Sequence, residues 1–222
     1  MLYYFLILTT RRINKFLLKE VKWQIAGIIN FTAIMVTYTT SNNEKDLAEI
    51  LALQKANLAV NLSAADIQSQ GFVTVAHSPE DMANLNRLEQ HIVAKDNDRV
   101  VGYLLAMTAQ SKQDIPVLIP MFEQFDKVIF AGKPLTAYHY IVVGQVCVAK
   151  EYRGQGILDD CYSAYRNHFK DKYDFAVTEI DSNNLRSLNA HKRIGFKAIH
   201  QFTDANKTNW VIVLWDWNNI EP

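Results

Sequence analysis

The chain has 222 residues, 49% hydrophobic and 21% charged, with 23 Lys/Arg balancing 23 Asp/Glu, which is ordinary soluble composition and enough chain for one substantial core in one domain. Residues 1–34 hold five of the basic and one of the acidic residues, so 18 basic face 22 acidic residues beyond them, and that balance offers no general attraction for nucleic acid. Cys147 and Cys161 have no CxxC spacing and no nearby His cluster; neither a disulfide framework nor a structural zinc site is implied, and no metal is expected.

In residues 1–34 the apolar stretches are broken by Arg11, Arg12, Lys15 and Lys19 before they reach the length of a membrane-spanning helix. The charges follow the first apolar run, which disfavours a secretory signal. No stable membrane insertion is expected, and the expected location is the cytoplasm. Residues 35–55 read as the first strand and helix of a domain, so translation starting at Met35 is one expectation for the preceding segment. An amphipathic arm that docks on the domain, a partner or a membrane surface is the other.

Residues 35–40 are a short β-prone run, and Ser41-Asn42-Asn43 then offers caps for a helix with Leu47, Ile50, Leu51 and Leu58 on one face. Ser78-Pro79-Glu80-Asp81 opens a second helix, with Met82, Leu85 and Leu88 as its buried side. Residues 91–95 and 99–108 form strands joined by a polar hairpin turn. Residues 111–136, with three prolines and three phenylalanines, read as an insertion that holds a short helix and carries acceptor selectivity. A strand follows at 138–148, then a glycine turn and a helix over 157–172 with Ile157, Cys161, Ala164, Tyr165 and His168 at helical spacing. Residues 175–180 form a strand, 184–194 a helix stopped by Gly195, and 198–202 with 210–215 a closing strand pair. The order is β-α-α-β-β-β-α-β-α-β-β, an α+β domain over 35–222.

The chemistry concentrates in VGQVCVAKEYRGQGILDDCYSAY, a strand that passes through a glycine-bearing turn into a helix. Unpaired N–H groups at a helix start can bind phosphate oxygens, and Gly154 and Gly156 allow close backbone approach. The segment lacks both the GxxxxGK[ST] loop and the GxGxxG turn of nucleotide-binding folds.

VCVAKEYRGQGI resembles the acetyl-CoA-binding motif of GNAT acetyltransferases. Its [QR]-x-x-G-x-[GA] turn reads here Arg153-Gly154-Gln155-Gly156-Ile157-Leu158, with Leu158 where a small residue is usual. NLRSLNAHKRIGF resembles the same family's N-x-x-[AS]-x-x-x-[YH]-x-x-x-G-F segment at Asn184, Ser187, His191, Gly195 and Phe196.

The resemblance implies a mixed, mostly antiparallel central sheet flanked by helices, with two central strands splayed apart. It implies acetyl-CoA as co-substrate, with Val146, Cys147 and Val148 offering main-chain groups to the pantetheine arm. Arg153, Gly154, Gln155, Gly156, Ile157 and Leu158 form the pyrophosphate turn, and Asn184 and Ser187 complete the cofactor side. The implied reaction is N-acetyl transfer to a primary amine of a small molecule, peptide or protein. Glu179 stands where ribosomal-protein N-terminal acetyltransferases resemble this chain and use a base; an outward or ion-paired strand residue is the other reading.

His191 stands where many relatives place a Tyr that protonates the leaving thiolate, and a packing or capping histidine is equally open. Gln145 lies near a position where some relatives carry a carboxylate, and it cannot act as a base. Tyr138, His139 and Tyr140 are candidates for an acceptor pocket or for rim packing. A CoA-binding sensor without turnover is the alternative function, and a homodimer stays open as the oligomeric state.

Overall fold

The structure, a computed structural model, describes residues 35–218, so both readings of residues 1–34 lie outside it. Its main sheet contains β1 (Val36–Thr40), β2 (Ile92–Asp96), β3 (Arg99–Met107), β4 (Tyr140–Val148), β5 (Phe175–Asp181), β6 (Lys197–Thr203) and β7 (Asn209–Asp216). The strand order is β1-β2-β3-β4-β5-β7-β6. Neighbours are antiparallel except β4 and β5, which run parallel. This is the mostly antiparallel α+β sheet that the sequence leads one to expect.

Helices α1 (Glu44–Asn57), α2 (Ala64–Gln70), α3 (Pro79–Leu88), α4 (Ile119–Phe125), α5 (Ile157–Phe169) and α6 (Leu185–Ile194) surround it. Their ends follow local side-chain chemistry. Asn43 caps α1 by accepting from Asp46 N–H at 2.9 Å, and Ser78 with Asp81 forms a reciprocal capping box on α3. Gly195, at φ +117°, closes α6 in the left-handed region.

Two expected helix faces shift. Leu58 lies beyond α1 as its extended C-cap, and His168 is exposed whereas Tyr162 and Phe169 are buried. An apolar side chain at i+1 or i+8 lies close enough to the α5 stripe to be drawn into the core, and it displaces the polar imidazole from that face.

Because side chains alternate across a strand, the sheet feeds two cores. On one face Tyr103, Leu105, Val142, Phe175 and Ile212 pack with Ile50 of α1, Met82 and Leu85 of α3 and residues of the 111–136 segment. On the other, Leu104, Ala106, Ile141, Ala176 and Val213 pack with Ile157, Cys161, Tyr162, Tyr165 and Phe169 of α5.

The segment 111–136 is more structured than a loop with one short helix. It holds a helical turn at Ser111–Asp114, then α4, then a small hairpin of Ile129–Phe130 with Lys133–Pro134. Ile115, Leu118, Phe122, Phe125 and Leu135 are buried. Phe125 meets Tyr140 edge-on with ring centroids 6.2 Å apart, and Phe130 meets Phe175 at 5.4 Å. Tyr138 and Tyr140 also pack on Phe175, so these aromatics build the core at the start of β4.

One feature of the sheet positions the site. The β4/β5 pairing runs only through Tyr140↔Phe175, Ile141↔Ala176 and Val142↔Val177, although β4 continues to Val148 and β5 to Asp181. At the fork Thr178 Oγ1 donates to the Val143 carbonyl at 2.7 Å. Beyond it the strands part, while β5 stays paired with β7 as far as Asp181↔Trp210.

Candidate active site

A cavity of about 470 Å³ occupies the fork, lined by the free edges of β4 and β5, the start of α5, α6, and the strap Gly71–Val75. No residue of 111–136 lines it, and neither do Tyr138, His139 or Tyr140. The apolar side chains of 111–136 pack into the core at the start of β4.

The strap is the part of the site that the sequence reading missed. It follows α2, and its anchors are polar. Asn184 Nδ2 donates to the Phe72 carbonyl at 3.1 Å, Val73 N–H donates to the Asn57 carbonyl at 3.0 Å, and Gln145 Nε2 donates to the Val75 carbonyl at 2.8 Å. Gln145 Oε1 accepts from Tyr103 Oη at 2.6 Å and from Gln54 Nε2 at 3.0 Å. The amide thus uses both ends to hold the strap against β4.

On β4 the Val148 carbonyl faces the opened edge, where Arg153 Nε donates to it at 2.9 Å. Main-chain groups alternate along a strand, so Val146 faces the same edge while Cys147 faces its partner Tyr103 on β3. Of the three candidate strand residues, Val146 and Val148 offer main-chain groups to the fork, and Cys147 lines the cavity otherwise. Burial pushes the Cys147 thiol up to about 12, so it stays protonated and unreactive near neutrality.

The turn after β4 has the geometry of an anion cradle. Gly154 and Gly156 sit at φ +75° and +82°, and a Cβ on either would meet nothing within 4 Å. Gly156 is the N-cap of α5, so the N–H groups of Ile157, Leu158 and Asp159 begin the helix without carbonyls four residues behind them to accept. Arg153 does not project as a free cation. Besides Val148, its Nη2 reaches Asn57 Oδ1 at 2.6 Å and its Nη1 reaches Gln70 Oε1 at 3.2 Å, tying the turn to the ends of α1 and α2.

Gln155 lies outside the cavity lining, with its amide donated to the Glu151 carbonyl at 2.9 Å. Leu158 lines the cavity while packing on the α5-side core. Asp159 also lines it, and Arg193 forks onto its carboxylate at 2.8 to 3.1 Å, offsetting its charge near the helix start.

Asn184 caps α6 by accepting from Ser187 N–H at 3.2 Å, so with its strap contact it serves as a joint between α6 and Phe72. Glu179 projects into the cavity from β5. Its Oε2 is buried with no hydrogen-bond partner. Burial, reinforced by the nearby Asp204 carboxylate, pushes its pKa up to about 7.

His191 is only 2% exposed. Its Nδ1 lies 2.8 Å from the Ser187 carbonyl, which can only accept, so Nδ1 carries the proton. Nε2 then accepts from Tyr162 Oη at 2.6 Å. Burial pulls the ring down to about 4. Both nitrogens are engaged inside the protein, and the ring also lines the cavity.

Among the described residues no His, Cys, Asp and Glu group is arranged to hold a metal, and no helix is long and apolar enough to cross a membrane.

The forked sheet and glycine cradle agree with the sequence comparison: the Acetyltransferase (GNAT) family model matches residues 63–196. The chain belongs to the GNAT acetyltransferase family and is an acyltransferase. No curated protein matches it in sequence.

Solved structures share the fold. The NatC complex bound to Gag peptide and CoA contains a chain 15% identical to this one, covering 82% of this chain and 98% of that one at a TM-score of 0.56. The ribosomal-protein-S18-alanine N-acetyltransferase of Escherichia coli is 10% identical, covering 85% and 100% at 0.54. The yncA protein of Salmonella typhimurium, with its cofactor acetyl-CoA, is 15% identical, covering 85% and 97% at 0.55.

Proposed function

We propose that this enzyme uses acetyl-CoA to acetylate a primary amine, with Glu179 as the base. The observation that carries the reading is the half-buried Glu179 carboxyl, whose Oε2 is buried without a partner and whose pKa is raised to about 7, lining the same cavity as Val146 and the start of α5. A base tuned to that value takes a proton near neutral pH and can still release it.

An ammonium R–NH3+ gives one proton to Glu179, and its nitrogen lone pair attacks the thioester carbonyl carbon. A C–N bond forms, the C–S bond breaks, and CoA leaves as a thiolate that gains the second nitrogen proton through water. The net products are the acetamide, CoA–SH and one proton.

The fork supports the donor side of this reading. Val146 N–H is on the edge where the acyl oxygen would develop negative charge, and a fixed donor there stabilises an oxyanion. The free N–H groups at the start of α5 suit a pyrophosphate. Asn184, Ser187 and Gln155 take supporting parts: the first two order α6 beside the donor, and Gln155 braces the turn. His191 is a packing residue in this scheme. A single domain over 35–222 working in the cytoplasm completes the reading.

Calorimetric titration with acetyl-CoA, followed by an amine panel read out as free CoA, tests it. Saturable binding with amine-dependent CoA release is expected. Binding without release would instead favour a CoA sensor, and folded protein that does not bind would overturn the proposal.

A further inference from the structure

The cavity has two chemically distinct ends. The basic side chains that line it, Arg153, Arg186 and Arg193, come from the α5 and α6 side, and each is engaged: Arg153 with Val148, Asn57 and Gln70, Arg186 with the Ser69 carbonyl at 3.2 Å, and Arg193 with Asp159. The β5/β7 end is acidic. Glu179 and Asp181 lie two apart on β5 and so share a face, and Trp210 on β7 pairs directly with Asp181; all three line the cavity.

Asp204, in the β6/β7 turn, lies outside the cavity lining and behind Trp210. Its Oδ2 accepts from Trp210 Nε1 at 3.0 Å, and its Oδ1 accepts from the N–H groups of Asn206 and Thr208 at 2.9 Å each. These donors, the indole first, hold the Asp204 carboxyl below its ordinary range, so it is ionised at neutral pH. Its field reaches Glu179. The indole is fixed by the same contact, and a fixed indole lining a cavity beside a carboxylate suits a cation.

We propose that the acceptor is a small aliphatic diamine: one amine is acetylated at Glu179, and a second, protonated amine is held by Asp181 and the Trp210 ring, with Asp204 adding its charge from behind the indole, so that the three act as specificity-determining residues. The inference rests on the acetyl-transfer reading and adds the charge of the acceptor's tail. A tail cation gains from two carboxylates and an aromatic face, a neutral tail gains only contact, and a carboxylate tail is repelled.

The test uses the full chain with acetyl-CoA and three amines of equal length: 1,4-diaminobutane, 1-aminobutane and 4-aminobutanoate. The expected kcat/KM order is diamine, then alkylamine, then amino acid, with about a five- to tenfold step at the first comparison, the sum of exposed ion-pair and cation–π contributions. That step should shrink in high salt. Asp204→Asn retains an acceptor for Trp210 while removing the charge, and it should narrow the diamine-to-alkylamine ratio of kcat/KM to about twofold, a ratio in which the variant's effect on the shared base Glu179 cancels.

Equal use of the diamine and the alkylamine, or a preference that ignores salt, overturns the proposal even if Asp204→Asn fails to fold. Failure of all three amines while calorimetry still shows acetyl-CoA binding rejects the diamine and leaves the donor side of the reading in place. Absence of acetyl-CoA binding rejects the acetyl-transfer reading itself.

Discussion

Tyr162 of α5 donates its hydroxyl to Nε2 of His191 on α6 at 2.6 Å, and the two rings meet edge-on with centroids 5.4 Å apart. The contact binds the two helices that flank the donor side of the fork, and it fixes the histidine as the neutral Nδ1–H tautomer through the Ser187 carbonyl.

Tyr162→Phe leaves Nε2 buried without a donor, so denaturant unfolding should show a loss of about 1–3 kcal/mol, with the pH profile of acetyl transfer unchanged. The ring's own titration adds a pH effect. His191 is pulled down to about 4 and His91, buried on the other side of the sheet, to about 3. The unfolded chain takes up protons below about 6.5 that these folded rings refuse, so their contribution to stability is lost as pH falls from there toward 4. His191→Phe should flatten part of that decline in chemical melts.

Glu179 moves in the opposite sense. Its folded pKa lies above the ordinary 4.5, so the folded state binds its proton more tightly, and stability falls as pH rises from 4.5 through about 7. Glu179→Gln should therefore unfold at higher denaturant at pH 8, by at most about 3 kcal/mol. The same variant should slow turnover by about 10²–10⁴-fold and remove the rise of kcat/KM through pH 7, while acetyl-CoA binding persists. A stabilised variant with normal turnover would remove Glu179 as the base.

Gly156→Val probes the cradle. Its φ of +82° costs a branched residue about 1–2 kcal/mol. A Cβ there points into open space, so the fold should survive while acetyl-CoA binding weakens beyond calorimetric detection. Gly154→Ala, at φ +75° with similar free space, should weaken binding less because the added group is a single methyl.

Arg153→Lys should be far from conservative. One ammonium cannot reproduce a planar fork that reaches Val148, Asn57 and Gln70 together. Steady-state assays should show KM for acetyl-CoA raised about tenfold with a smaller change in kcat, as expected when a binding loop loses its brace and the chemistry is left alone.

What the sequence made legible follows from what each segment buries. The β4–α5 and α6 motifs are local: glycines at positive φ, a cap at Asn184 and a stop at Gly195 are dictated within a few residues and can be read as letters. Glu179 is picked out only by the resemblance to ribosomal-protein N-terminal acetyltransferases, and its raised pKa draws on burial and on Asp204 in the β6/β7 turn, which no local pattern reports.

Helix α2 escaped because AADIQSQ has no apolar stripe and none of its residues is buried. Ser63, which accepts from Asp66 N–H at 3.1 Å, and Gly71 just past the last turn were the available signals. The strap was missed with it, since its anchors, Asn184, Gln145 and Asn57, come from three distant parts of the chain.

That unburied helix behaves differently from the rest of the molecule. Arg153, Arg186 and the exposed Lys150–Asp66 pair at 3.7 Å are its principal tethers, and none of them belongs to the apolar core. Its amides should exchange with solvent long before those of α5, and a protease should nick the chain near 64–70 while the sheet stays intact. Occupancy of the fork can then be followed without any turnover, as the slowing of that first cut.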